Sequence, residues 1–288
     1  MSENRSSSSD ATHHTLPMEL IHKVLLFLAS VETPIPTLLL VCRTAQAWML
    51  PLLYHSIKFT KSTQLSKFLV DHDIPNDLME SRFSLIQNLY IGETPSEAGD
   101  LAYGSTNWPL TILTRLLWLC ISLKRLVILN LDQNKWHTVE HAVPSSIEYL
   151  TLGPSHGPFL PQNLKKRPLL KHFTSISTHM RDDEVQDIVC YPSMQTLVRI
   201  SEGSSRAASL AAEQARCVSK SQTLERLDIV VCGWSLGTEL AVVAARQMLN
   251  EVIDDSRISI LMDRRAWTSV VYDQYEDWRL AYITSLII

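Results

Sequence analysis

Glycine is scarce in this chain, 8 residues in 288, against about 7% in ordinary domains. Glycine-rich loops that cradle a phosphate-bearing cofactor therefore have little to be built from. Charge is low as well, 19% of residues, and the 26 basic and 30 acidic side chains nearly cancel. A net charge of −4 gives no basic surface for nucleic acid and no attraction to anionic lipid. Cysteine pairs are missing: Cys42, Cys120, Cys190, Cys217 and Cys232 are odd in number, widely spread and never arranged C-x-x-C. That excludes a disulfide framework and a cysteine zinc site, and predicts reduced, mostly buried thiols. The most apolar long stretch, Leu110 to Leu131, is broken by Arg115, Lys124 and Arg125, each costly in a bilayer core. The first fourteen residues, polar and with the run Ser6 to Ser9, hold no apolar signal core and read as a disordered tail. The expected location is cytoplasmic or nuclear, with no membrane and no nucleic acid as partner.

What is abundant is leucine in patterned positions. Leu16 to Leu28 predicts a helix that starts at Pro17, where a missing N–H costs nothing, with Glu19 in the first turn favourable to the helix dipole. Leu20, Ile21, Val24, Leu25 and Leu28 form one stripe, and Leu26 and Phe27 widen the apolar surface well beyond it. The breaker Thr33-Pro34-Ile35-Pro36 separates this helix from a second run, Leu38 to Leu50, which Pro51 ends or bends. Ser56 to Phe59 alternates polar and apolar and predicts a short strand.

Beyond residue 60 a short pattern, apolar-x-x-apolar-x-apolar, recurs: Ile86, Leu89, Ile91; Leu123, Leu126, Ile128; Ile147, Leu150, Leu152; Leu224, Leu227, Ile229. Weaker copies fall at Leu170 with Phe173 and at Met194 with Leu197. Intervals of this size suit one strand and a return segment per unit. Ser122, Ser146, Ser193 and Thr223 stand just before the first apolar residue of their units. Pro109 to Leu119 and Arg206 to Val218 read as helical connectors. At the C-terminal end the expected order is a strand at Leu227 to Val231, a helix at Thr238 to Ile253, a strand at Arg257 to Met262 and a closing helix near Asp273 to Leu286. That terminal unit is expected to cover the open end of the repeat stack.

One catalytic pattern occurs. Gly233-Trp234-Ser235-Leu236-Gly237 matches the Gly-x-Ser-x-Gly nucleophile elbow and sits between a predicted strand and a predicted helix. An elbow serine needs a histidine that follows it in the chain, and all ten histidines lie between His13 and His179. A strand-to-helix turn explains the motif without chemistry. His137 and His141 are the only histidine pair four apart, and a solvated helix face accounts for them and for Glu140 better than zinc does. No cofactor, metal or catalytic residue is expected, and the protein is read as non-enzymatic.

With these residues in view, Leu16-Pro17-Met18-Glu19-Leu20-Ile21, Val24 to Leu28, the proline-containing break, Leu38 to Arg43, Trp48 and Leu52 to Ile57 resemble an F-box over residues 15–59. The strand-helix units of 60–288 resemble the divergent leucine-rich-repeat region of fungal F-box proteins. The fold class expected is α+β or α/β: a small helical F-box domain followed by an irregular leucine-rich-repeat-like solenoid. The resemblance implies a substrate-recognition subunit of a Skp-cullin-F-box ubiquitin ligase, which works in ubiquitin-dependent protein degradation. It would bind the Skp adaptor, and through it a cullin scaffold, by its N-terminal helices, and a protein substrate by its repeats. The adaptor-binding positions carried over are Leu16, Pro17, Leu20, Ile21, Val24, Leu25, Leu28, Leu39, Val41 and Trp48. The Thr33 to Pro36 insertion departs from the family pattern. Two other readings stay open: a stand-alone repeat scaffold for protein-protein interaction, and a serine hydrolase using Ser235.

Overall fold

The computed structural model describes residues 16–31, 35–72, 81–95, 108–203 and 205–287; the expected N-terminal tail and Thr33-Pro34 of the breaker lie outside them. The chain divides into two compact units, one up to Leu52 that also takes in Tyr282–Ile288, and one of Leu53–Ala281. Among the described residues no helix is long and apolar enough to cross a membrane.

The first unit is helical: α1 (Met18–Val31), the one-turn α2 (Ile35–Leu38) and α3 (Arg43–His55). Ile35 and Pro36, expected to break the chain, instead open α2, because proline is tolerated in a first turn. Pro51 does not end α3, which runs on through it to His55. The core of this unit is Leu25, Leu26, Ala29, Leu38, Ala45, Met49 and Leu52, closed by Ile283.

The second unit is α/β and is organised by one eight-stranded, wholly parallel sheet whose strands lie in sequence order. The strands are β1 (Ser56–Phe59), β2 (Asn88–Ile91), β3 (Arg125–Leu129), β4 (Tyr149–Gly153), β5 (His172–Ile176), β6 (Thr196–Glu202), β7 (Arg226–Cys232) and β8 (Ile258–Asp263). The helices between them are α4 (Ser62–His72), α5 (Leu110–Leu119), α6 (Trp136–Val139), α7 (Asp182–Val189), α8 (Ser205–Gln214) and α9 (Leu236–Val252), followed by α10 (Trp267–Ile287). Because the order never reverses, the sheet has no topological switch point, where open α/β sheets of the doubly wound kind bind nucleotides.

The repeat pattern sets the register. The first apolar residue of each unit, Ile86, Leu123, Ile147, Leu170, Met194 and Leu224, is buried two residues ahead of its strand. The side chain opening the next unit ties these turns together: Ser146 Oγ donates to the Leu123 carbonyl at 2.8 Å and Ser193 Oγ to that of Leu170 at 2.9 Å. Strands covered on both faces read as nearly continuous apolar runs, as in Arg125-Leu126-Val127-Ile128-Leu129. On one face Ile229, Val231 and Ile260 pack against alanines of α8 and α9, whose small side chains let the helices approach closely.

The other face is covered by α10. Val271 and Tyr275 share a cluster with Tyr90, Val127, Leu129, Ile176, Ile200, Val230 and Cys232, and Trp267, Val270, Tyr272 and Trp278 pack against it. This corrects the expectation of a cap over the open end. The closing helix begins six residues earlier than predicted and lies on a face spanning β2 to β7, while β8 remains an edge strand. Trp267, Val271, Tyr275 and Trp278 recur at i, i+4, i+8 and i+11, so they supply one apolar stripe that a sheet face can bury.

Candidate functional site

In the first unit α1 carries two apolar stripes. Ile21, Leu25 and Ala29, with Leu26, turn inward. Leu20, Val24, Phe27, Leu28 and Val31, spaced i, i+4, i+7, i+8 and i+11, turn outward and continue the line of Leu16. One residue of offset rotates a side chain by about 100° around a helix. That offset separates Val24, 56% exposed, from Leu25, 6% exposed. Leu40 and Val41, in the turn between α2 and α3, are 86% and 64% exposed.

The ten residues carried over from the F-box resemblance divide accordingly. Leu16, Pro17, Leu20, Val24, Leu28 and Val41 are exposed; Ile21, Leu39 and Trp48 are half-buried against the core of the unit. Leu25 belongs to that core, because its position on α1 faces Leu26 and Met49's cluster instead of solvent. Trp48 stacks obliquely on His22, ring centres 4.7 Å apart. Among the described residues from Leu16 to Leu52, four exposed large apolar residues were not among the ten: Met18, Phe27, Val31 and Leu40. Met18, Phe27 and Leu40 stand inside the segments that resemble an F-box, and Phe27 also widens the apolar surface of α1.

In the second unit the catalytic pattern resolves into a helix cap. Ser235 is the N-cap of α9: its Oγ accepts from the Thr238 backbone N–H at 3.2 Å and lies 3.1 Å from Thr238 Oγ1. Trp234 beside it is 88% exposed. The expected strand-to-helix turn is what the residues form.

Burial shifts several titratable groups in this unit. Burial pushes the thiols of Cys120, Cys217 and Cys232 up, Cys217 to about 11 and Cys232 to about 12, which leaves no thiolate near neutrality. Burial, aided by the nearby guanidinium of Arg125, holds His55 down to about 4. His156 is held to about 4 by burial against the opposing pull of its bond to the Gly157 carbonyl. Both imidazoles are neutral in the fold. Among the described residues no three His, Cys, Asp or Glu side chains stand together as metal ligands.

A row of side chains crosses the α10 face at the start of successive strands: Ser56, Asn88, Arg125, Tyr149 and His172 are register partners. Asn88 Nδ2 donates to Ser56 Oγ at 2.8 Å, Arg125 Nη1 donates to Asn88 Oδ1 at 3.2 Å, and Tyr149 stacks on His172 with ring centres 4.1 Å apart. Lys58 reaches from β1 to the Tyr272 hydroxyl and lies 3.8 Å from Glu276, both on α10. These polar contacts lie on the face that α10 covers. In sequence the chain matches no protein-family model and no curated protein.

Proposed function

We propose that the chain is the substrate-recognition subunit of a Skp-cullin-F-box ubiquitin ligase, with the helical unit as the adaptor-docking module and the parallel-sheet unit as a divergent leucine-rich-repeat-like substrate carrier. The observation that carries the proposal is the second apolar stripe of α1. A monomeric helix has no use for Leu20, Val24, Phe27, Leu28 and Val31 in water when a separate stripe already supplies its core. A row of this kind, extended by Leu16 and by Leu40 and Val41, marks a protein interface, where a partner's groove completes the burial. The receptor contributes no catalytic group in this reading; it accelerates transfer by holding a substrate near the ligase's reactive centre. Since α10 already covers the face of β2 to β7, the substrate is read by the loops and outer helices.

The test is co-expression of the full chain with the Skp adaptor and measurement of the complex by size-exclusion chromatography and calorimetry. A one-to-one complex is expected. The double variant Leu20→Asp/Val24→Asp should weaken it at least about 100-fold, since two charges would enter an apolar groove. Circular dichroism should be unchanged because both side chains are exposed. A wild-type chain that stays monomeric beside the adaptor overturns the reading in favour of a stand-alone scaffold.

A further inference from the structure

A cavity of about 240 Å3 lies beyond the end of β5 and along the last residues of β6, beside the first turn of α8. It is smaller than the roughly 300–1,000 Å3 of ordinary ligand pockets, which suits a ligand smaller than a nucleotide. Arg199, Arg206, Ser177 and Ser201 supply polar lining, and Ala207, Leu210 and Ile229 supply apolar lining.

Arg199 is the unusual member. Its side chain is buried, and burial lowers its pKa to about 10. Nη1 donates to Gln214 Oε1 at 2.8 Å and Nη2 to the Thr178 carbonyl at 3.3 Å, which employs two of its five N–H donors. Among the described residues no carboxylate lies within ion-pairing distance of Arg199 or Arg206. Glu184, the acid whose field reaches Arg199, is engaged by Arg181 through Nε at 3.4 Å and through its backbone N–H at 3.0 Å. A guanidinium taken out of water without a counter-charge is costly.

The serines point the same way. Ser177 Oγ and Ser201 Oγ are both buried without a hydrogen-bond partner, and Ser201 is only 6% exposed. Buried hydroxyls are nearly always satisfied, so two orphans around one cavity call for a missing acceptor. The N-terminal end of the ten-residue α8, the positive end of its dipole, lies on the same side.

We propose that this cavity binds a small organic carboxylate with a short apolar body. The planar fork of a guanidinium matches a carboxylate, the serine hydroxyls supply the donors its oxygens accept, and the apolar lining would be idle against a fully polar anion. The test is isothermal titration of the full chain with sodium benzoate, sodium hexanoate, benzyl alcohol and inorganic phosphate. A saturable one-to-one isotherm is expected for at least one carboxylate, with the alcohol and phosphate at least about tenfold weaker. Arg206→Ala should weaken the carboxylate at least about tenfold with an unchanged thermal midpoint, because Arg206 is an exposed side chain. Ser201→Ala should weaken it without loss of the fold. The proposal is overturned if neither carboxylate saturates by about 10 mM, if alcohol or phosphate binds as tightly, or if Arg206→Ala binds like the wild type.

Discussion

The indole of Trp278 lies 5.7 Å from the phenol ring of Tyr149, and the guanidinium of Arg125 stands over both, 5.0 Å from Tyr149 and 5.4 Å from Trp278. The cation is thus shared between a ring on β4 and a ring on α10, which fastens the helix to the sheet within the row that runs from Ser56 to His172. Removing the indole loses its apolar burial and one cation–π contact. Trp278→Ala should therefore cost about 2–4 kcal/mol, lowering the thermal midpoint by roughly 5–15 °C. Trp278→Phe should recover more than half of that. A midpoint unmoved by Trp278→Ala would show that the face contact does not hold α10.

How much of this was legible in the sequence depends on how many neighbours a residue needs to be understood. The strands were readable at Ile86-Leu89-Ile91 and its copies because each pattern is local and its burial is repeated unit after unit. The seat of α10 was not, since Thr151, Thr174 and Arg125 put polar side chains on the face it covers, and only the fold shows Thr151 and Thr174 to be buried there. On α1 the composition revealed excess apolar width, but a rotation of about 100° between Val24 and Leu25 decides which faces out, and that needs the positions of α2 and α3. The cavity was invisible: Ser177, Arg199 and Arg206 come from a loop, a strand and a helix, and none belongs to a motif.

Acid should destabilise the fold before the carboxylates begin to titrate. His156 donates from Nδ1 to the Gly157 carbonyl at 2.6 Å and accepts at Nε2 from Ser175 Oγ at 2.8 Å, a tautomer assigned from its partners. With His156 and His55 held to about 4 in the fold and near 6.5 when unfolded, the unfolded chain binds more protons between those limits. Stability is then complete above about pH 6.5 and is lost as pH falls toward 4. For His156 the loss approaches about 3 kcal/mol at the lower limit. Urea midpoints should fall from pH 7 to pH 5, and His156→Gln should flatten that slope. A flat wild-type profile over this range refutes the assignment.

Thiol chemistry separates the five cysteines by exposure. Cys42 and Cys190 are exposed and Cys120, Cys217 and Cys232 are buried, all five unpaired. The buried three combine poor access with pKa values raised by burial. Ellman's reagent at pH 8 should modify two thiols quickly in the native chain, and five after denaturation. Fast reaction of a third thiol would place one of the buried sites in a region that opens locally.

Two glycines give opposite expectations, and the second, Gly237, together with Ser235 tests whether the Gly-x-Ser-x-Gly pattern is structural. A Cβ on Gly157 would stand 2.2 Å from the Gln133 carbonyl oxygen, a backbone atom that cannot yield without moving its loop. Gly157→Ala should therefore cost about 1–3 kcal/mol. A Cβ on Gly237 meets only Ser235 Oγ, at 3.4 Å, in the first turn of α9. Since alanine is the better helix former, Gly237→Ala should leave stability unchanged or raise it by up to about 1 kcal/mol. Ser235→Ala should instead cost about 1 kcal/mol through loss of the cap. All three variants are read by urea denaturation, alongside fluorophosphonate labelling of the wild type. A cap and nothing more predicts this pattern of stabilities with no labelling; covalent capture at Ser235 would restore the hydrolase reading.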